Sequence, residues 1–294
     1  MRTHRFAQLR LLRGVTRRSM AAGIGLAILL GFAAAMVVQP VLLPHGAATG
    51  DVAILAGPSL RHPFGTDANG HDVLARVLHG IRYAFAVPLA AVLLAIAVGV
   101  PAGMAAGLVG GRTDRVLQRL FQGVMTVPPL LLAPALVAGM GPSVLHAVIA
   151  LAALEAVVFA RIMGAEVHAL RRIGFVEGNV AMGVSLPRLV AVHLLPNTMA
   201  GLAGAIPRRV AWALATFALI GFLGLGPAAG ATEWGTMIRQ AMEPMLADRW
   251  WLGVFPAAAL VMVGFALNLL AAGLTDLRAA RVGQAGAVLP GAAG

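Results

Sequence analysis

Two residue types are missing from this chain of 294 residues: it has no cysteine and no lysine, and all 22 basic residues are arginine. Without cysteine the chain can form no disulfide, no thiol nucleophile and no cysteine-ligated metal site. A nucleotide-binding P-loop requires a lysine that reaches the phosphates, so the missing lysine excludes an ATPase site of that kind. Only 11% of the residues are charged and 60% are hydrophobic. A chain this apolar is typical of a membrane protein with several spans.

The surplus of positive charge is the second feature of the composition, with 22 basic residues against 11 acidic ones and a formal net charge of +11. Such a surplus can indicate a nucleic-acid partner, but the arginines of this chain flank long apolar runs. Arginines in that position set the orientation of membrane spans. We therefore expect membrane lipid around the chain and no nucleic acid bound to it.

Six apolar runs are close to the ~20 residues that an α-helix needs to cross a bilayer. They predict an all-α polytopic membrane protein with six transmembrane helices. The first run is longer than the ~7–15 apolar residues of a signal peptide, so we expect it to be retained as a span. The runs are residues 20–43, 83–110, 120–140, 144–163, 199–226 and 251–275.

The polar segments between these runs divide the chain into five parts. Apolar residues on one face of 72–82 predict an amphipathic helix that lies along the outer membrane surface. The end of the chain is rich in alanine and glycine, and we expect it to be disordered. The parts are a basic N-terminal segment 1–19, the first span 20–43, an external segment 44–82, a core 83–276 with the other five spans and an inner loop 164–198, and a tail 277–294.

The distribution of arginine orients the spans. With the N-terminus inside, the inner segments contain fifteen arginines and four acids, and the outer segments contain five arginines and six acids. Cytoplasmic segments of membrane proteins carry the excess of basic residues. Both termini and the loop 164–198 are therefore predicted to be cytoplasmic, with a short polar turn at 112–119 and an outer loop at 227–250.

The inner loop contains a moderately polar stretch, residues 175–197, between two long apolar runs. A glycine and a proline four residues apart predict two short helices separated by a turn. The glutamate, the glycine and the Leu-Pro pair have the spacing of the EAA loop of ABC-importer permeases, which this stretch resembles. The residues that the resemblance places in the ATPase-coupling loop are Phe175, Glu177, Gly183, Arg188, His193, Leu195, Pro196 and Asn197.

A second stretch, residues 62–76, supports the same resemblance. It is similar to the His-Pro-Leu-Gly-Thr-Asp-x-x-Gly-Arg-Asp-x-x-Ser-Arg signature of the dipeptide, oligopeptide and nickel branch of ABC permeases. His71 stands where that family usually has arginine. The matching residues are His62, Pro63, Gly65, Thr66, Asp67, Gly70, Asp72 and Arg76.

These motifs together resemble one permease subunit of a type I, binding-protein-dependent ABC importer of a bacterial inner membrane. The resemblance implies three kinds of protein partner: a second homologous permease, cytoplasmic ATPase subunits and an external solute-binding protein. ATP and Mg²⁺ would bind to the ATPase subunits, so we expect no cofactor, no metal and no catalytic residue in this chain. Di- or oligopeptides are the expected cargo, and nickel or a metal chelate is the alternative.

Three charged residues fall well inside predicted spans: Glu155, Arg208 and Arg209. Arg161, at the inner end of the fourth run, is counted with the inner segments. An ionisable residue in a span indicates a functional site, because its burial is costly unless it faces a cavity or a partner. Their distances from the loop 164–198 predict similar depths, so we expect an arginine near Glu155, either paired with it or across a wet path. The alternative is that the arginines extend to the membrane interface. A proton-coupled secondary transporter, with Glu155 as proton carrier, is the rival class of function.

Four histidines, His45, His62, His71 and His79, share the predicted external segment. Together they raise the question of a metal site. Their spacing lacks the close pair on one helical turn that a metal site commonly uses. We interpret them as separate surface residues.

Overall fold

The computed structural model describes residues 20–39, 53–172, 174, 178, 181–185, 188–227 and 231–287. Most of these residues are helical, and among them there is no strand, only an isolated bridge between Thr66 and Asp72. A turn of π-helix, Leu189–Leu194, leads directly into the sixth α-helix. The α-helices are α1 (Met20–Gln39), α2 (Val73–Val109), α3 (Gly111–Thr126), α4 (Pro129–Met140), α5 (Val144–Arg172), α6 (Leu195–Leu202), α7 (Ala205–Phe222), α8 (Trp234–Met245) and α9 (Trp251–Ala287).

Five of these helices are long and apolar enough to cross a membrane: α1, α2, α5, α7 and α9. The predicted span over 120–140 is not one continuous helix. Val127 has an extended backbone, with φ −80° and ψ 130°, as expected of a residue before proline. The run is therefore divided between α3 and α4, and α4 has only 12 residues. The polar turn predicted at 112–119 is wrong, because those residues lie within α3.

The sequence pattern predicts a separate surface helix over 72–82. In the structure this segment instead forms the first turns of α2. The Asp72 side chain accepts a hydrogen bond of 2.9 Å from the backbone N–H of Ala75 and so begins the helix. Nothing interrupts the backbone where the amphipathic pattern gives way to the apolar run. With 37 residues, α2 is about 55 Å long, so it extends well beyond a hydrocarbon core of about 30 Å.

The remaining boundaries differ from the predictions in three places. The fifth span begins as α6 and is interrupted at residues 203–204, before α7. The predicted outer loop 227–250 contains helix α8. The tail 277–294 was predicted to be disordered, but α9 continues through it as far as Ala287.

Helices α2 and α5 approach closely because glycines on α2 lie against the backbone of α5. A Cβ atom built on Gly99 would lie 2.3 Å from the carbonyl oxygen of Ala156, and one on Gly103 would lie 2.2 Å from that of Ala160. Both distances are far shorter than a van der Waals contact. Small residues at such positions let two helices pack backbone to backbone, and this contact fixes α5 beside α2.

Residues 53–72 fold into a compact cap over one end of the bundle. The Trp251 indole at the start of α9 donates to the carbonyl of Thr66 at 3.4 Å. Phe64 stacks on Phe255 with ring centroids 3.9 Å apart. Nearby, the buried Trp234 of α8 donates to the carbonyl of Val77 on α2 at 2.9 Å. The cap thus joins the ends of α2, α8 and α9.

Candidate functional site

The stretch that resembles a coupling loop is described only in part. Phe175 and Glu177 lie outside the described residues, and so do the side chains of His193 and Asn197. Arg188, Leu195 and Pro196 are exposed. Their roles in coupling therefore stay predictions.

The backbone of this stretch has two features that suit a projecting loop. Gly183 has φ +78°, a left-handed conformation that costs other residues about 1–2 kcal/mol, so the turn between the predicted short helices requires glycine. The π-helical turn before α6 has both ends, Leu189 and Leu194, fully buried. These two leucines anchor the second half of the stretch to the bundle, while the neighbouring Leu195 remains partly accessible.

The structure brings Glu155 of α5 and Arg209 of α7 together. Nε of Arg209 donates to Oε2 of Glu155 at 2.5 Å, and Nη2 donates to Oε1 at 2.6 Å. Glu155 is fully buried, whereas the Arg209 side chain is 22% exposed. The guanidinium also lies over the ring of Trp212, 4.9 Å from its centroid. A bidentate ion pair with an aromatic ring beside it links α5 and α7 deep in the bundle.

Arg208, the other candidate for this pair, has a different environment. It is exposed on α7, and its guanidinium makes no ion pair with any residue that the structure describes. Of the two span arginines predicted to lie near Glu155, only Arg209 does so. Among the described residues, Arg208 is thus an exposed cation with no acidic partner.

A second ion pair holds the cap to the bundle. The guanidinium of Arg76 on α2 donates to the carboxylate of Asp67, and its Nη2 also donates to the side chain of Gln240 on α8 at 3.2 Å. Asp67 and Arg76 are both buried. Asp67 further accepts the backbone N–H groups of Asn69 and His71, each at 2.8 Å. The acidic and basic residues of the 62–76 signature thus position the cap on α2 and α8.

Burial opposes the ionisation of Asp67, but the N–H donor of His71, the charge of Arg76 and the N–H of Asn69 outweigh it. The net effect holds the pKa of Asp67 below its usual 3.8. The carboxylate is therefore ionised at neutral pH and contributes a full charge to the pair with Arg76.

Beside this ion pair, residues of the cap and α8 line an open cavity of about 280 Å³. Its polar lining comes from Asp67, Asn69, Arg76 and Gln240, and apolar residues of α2, α8 and α9 complete it. The end of the bundle covered by the cap therefore presents a concave surface that combines buried charge with apolar walls.

Sequence reasoning missed Glu233, which organises the start of α8. Its carboxylate accepts from the backbone N–H groups of Gly235 and Thr236 at 2.7 and 2.8 Å, and from the Thr236 hydroxyl at 3.0 Å. Burial raises the pKa of Glu233 above its usual 4.5, although these donors oppose the shift. Helices more often begin with Ser, Thr, Asp or Asn, so a glutamate gave no signal.

The external histidines do not form a metal centre in the part of the chain that the structure describes, where no group of three or more potential ligands is found. His62 and His71 each face a carboxylate: Nδ1 of His62 lies 2.7 Å from Asp72, and Nδ1 of His71 lies 3.1 Å from Asp67. His45 lies outside the described residues. The two imidazoles thus support the cap.

Comparison with known proteins decides the family. The family described as the inner-membrane component of binding-protein-dependent transport systems matches residues 99–284, more than half of the chain. The chain belongs to this family. It is therefore a multi-pass protein of the inner membrane, in agreement with its five long apolar helices.

Individual members of the family are also similar over most of their length. The dipeptide transport system permease protein DppC of Alkalihalophilus pseudofirmus is 32% identical over 261 residues, which cover 88% of this chain and 86% of that protein. The glutathione transport system permease protein GsiD of Shigella flexneri is 37% identical over 220 residues, or 75% of this chain and 72% of that protein. Both relatives are named as permeases of transport systems.

Proposed function

We propose that this chain is one of two permease subunits in an ATP-driven, binding-protein-dependent importer of di- or oligopeptides. The observation that carries the proposal is the similarity to the dipeptide permease, which spans 88% of the chain and includes both the cap and the coupling stretch. The partners are a second homologous permease, cytoplasmic ATPase subunits and an external solute-binding protein. ATP and Mg²⁺ bind to the ATPase subunits, and this chain holds no cofactor of its own.

The proposed orientation follows from charge. The arginine-rich segments lie on the cytoplasmic side, which places both termini and the loop 164–198 there, and places the cap outside. A type I fold with six spans requires 120–140 to cross as well, through α4 and the adjoining part of α3. The concave surface beside Arg76 and Gln240 then faces the solute-binding protein, and the exposed Arg188 and Leu195 face an ATPase subunit.

The mechanism that we propose couples these two faces. ATP closes the ATPase pair, the loop 164–198 moves with it, and α5 carries the movement into the bundle because it is continuous with that loop. The spans then pass from an inward-open to an outward-open arrangement. Peptide leaves the binding protein and enters the path between the two permeases.

The test is uptake by proteoliposomes that contain the complete importer with its binding protein. We expect a labelled dipeptide to accumulate only with ATP, and a protonophore to leave the rate unchanged. Collapse of uptake by the protonophore at constant ATP would instead support a proton-coupled transporter. Uptake of Ni²⁺ with no uptake of peptide would replace the peptide cargo with the metal.

Coupling is tested by Glu177→Ala in the same vesicles. A carboxylate at this position of the loop is expected to meet a basic residue of an ATPase subunit, so its loss should leave ATP hydrolysis running while uptake falls. Glu243→Ala is the matched control, because Glu243 is an exposed carboxylate on α8, far from the loop in the chain. Normal uptake by the Glu177 variant would remove the coupling role from this residue.

A further inference from the structure

The depth of Arg208 can be read from its neighbour. Glu155 lies 11 residues after Val144 and 8 residues before Met163, which bound the apolar part of α5. At about 1.5 Å per residue, it is ~17 Å from one end of that part and ~12 Å from the other. Arg209 is bonded directly to Glu155, and Arg208 is the adjacent residue of α7. The backbone of Arg208 therefore lies near mid-membrane. Its distance from either membrane surface exceeds the length of an arginine side chain.

An exposed arginine at this depth does not suit a surface that faces lipid. A charged residue at the bilayer centre costs about 2.5–3.5 kcal/mol on insertion scales. Arg209 is neutralised by Glu155, whereas Arg208 makes no ion pair with any part of the chain that the structure describes. The face of α7 that carries Arg208 must therefore meet water or an anion.

The rest of this face supports the same reading. From Arg208 onward, the accessible side chains of α7 other than Arg209 follow one stripe at helical spacing: Arg208, Trp212, Ala215, Leu219 and Phe222. All residues of α7 are described, and none of its large apolar side chains is among the exposed ones. Helix α9, by contrast, exposes Val261, Met262 and Phe265 to 68%, 48% and 59%. The surface of α9 is that of a lipid-facing helix, and the α7 stripe is not.

We propose that the α7 stripe lines the translocation path and that Arg208 binds a carboxylate of the peptide in transit. The proposal rests on the proposed function, since a peptide cargo carries a carboxylate at its C-terminus. A guanidinium is suited to carboxylates because its N–H groups form paired, charge-assisted hydrogen bonds. Trp212 supplies an apolar surface one turn further along α7, and Ala215 leaves room beside it. The site thus combines an anion-binding group with space for a side chain.

The absence of cysteine permits a direct test. We would make Arg208→Cys, Ala215→Cys and Val261→Cys separately, in an importer whose other subunits carry no reactive cysteine. A water-soluble thiol reagent should modify the thiols introduced at positions 208 and 215. It should spare the one at 261, which is also exposed in the single chain but faces lipid. Transported peptide should slow the modification at position 208.

The chemistry of the reagent then tests the charge. A cationic adduct at position 208 should restore uptake of the free-acid peptide that Arg208→Cys has lost, which we expect to be about a tenfold loss. A neutral adduct of similar size should not restore it. Equal uptake with the two adducts would show that no carboxylate is bound by the charge.

Other outcomes are distinct. If the thiols at 208 and 215 are as unreactive as that at 261, the stripe is covered by lipid or by the second permease, and the inference is wrong. Reduced recovery of the assembled complex for Arg208→Cys, with no change of peptide preference, would point to an acidic residue of the second permease instead. Failure of the unmodified importer to take up any peptide would refute the proposed function itself.

Discussion

Replacing Arg209 with methionine removes the cation from the buried pair that joins α5 and α7. Both oxygens of Glu155 accept from the guanidinium, at 2.5 and 2.6 Å, and Glu155 is fully buried. Arg209→Met leaves that carboxylate without a partner, a change that typically destabilises a protein by about 3–5 kcal/mol. The loss of the guanidinium over Trp212 adds about 0.5–2 kcal/mol. We therefore expect a severe loss of stability.

The double variant separates pairing from packing. Glu155→Leu combined with Arg209→Met replaces the ion pair by apolar side chains of similar length, which is often neutral or stabilising in a protein interior. We expect the double variant to recover most of the stability that Arg209→Met alone loses. Arg208→Met is the matched control, because the adjacent arginine is exposed and should contribute little to stability.

The assay is the fraction of complex that remains assembled after heating in detergent, measured by size-exclusion chromatography with a fluorescent tag on this chain. Midpoints should rank wild type, Arg208→Met and the double variant together, with Arg209→Met well below them. A wild-type midpoint for Arg209→Met would refute the reasoning. A double variant that loses as much as the two single changes combined would show that the residues act separately.

The remaining predictions concern backbone and pH. Gly103→Ala should lower the heating midpoint by the equivalent of ~1–3 kcal/mol, because the added Cβ would meet the Ala160 carbonyl. Gly139→Ala is the control and should leave the midpoint unchanged, because a Cβ at that position would have no neighbouring atom within 4 Å. Gly183→Ala should reduce uptake relative to ATP hydrolysis, because φ +78° is unfavourable for alanine by ~1–2 kcal/mol. The ionised Asp67 has a lowered folded-state pKa, so the stability that it contributes is present above pH 3.8 and is lost below it as the pH falls through that pKa. Asp67→Asn should therefore be less stable than wild type at neutral pH, and limited proteolysis of the cap should show less change on acidification.

The sequence predicted the helical character of α2 but not its continuity. Periodicity placed the apolar residues of 72–82 on one face, and Val73, Val77 and Ile81 of that face are buried, but Arg76 on the opposite, polar face is buried as well. The amphipathic pattern ends where α2 enters the apolar run after residue 82, although the helix itself continues to Val109. A change of pattern was therefore interpreted as a change of helix. Only contacts in three dimensions distinguish the two cases.

The buried charges illustrate a second limit. The rise per residue sufficed to put Glu155 and two arginines at similar depth. The choice between Arg208 and Arg209 depends on a rotation of about 100° around α7, and the break at residues 203–204 separates α7 from the loop used as reference. The contact of Gln240 with the Asp67–Arg76 pair could not be predicted from the sequence either, because Gln240 is 164 positions from Arg76 in the chain.

Helix α5 packs against α2, is bonded to α7 through Glu155 and Arg209, and ends in the loop 164–198. It contains no proline. It extends about 17 Å from Glu155 to Val144 and about 26 Å from Glu155 to Arg172. The bond to Arg209 lies between these two unequal arms. A rotation of α5 about that bond would move its two ends in opposite directions, and the end at the coupling loop would travel about 1.5 times as far as the other. In the proposed orientation, a larger movement at the ATPase subunits would thus produce a shorter and more forceful displacement at the other end of α5.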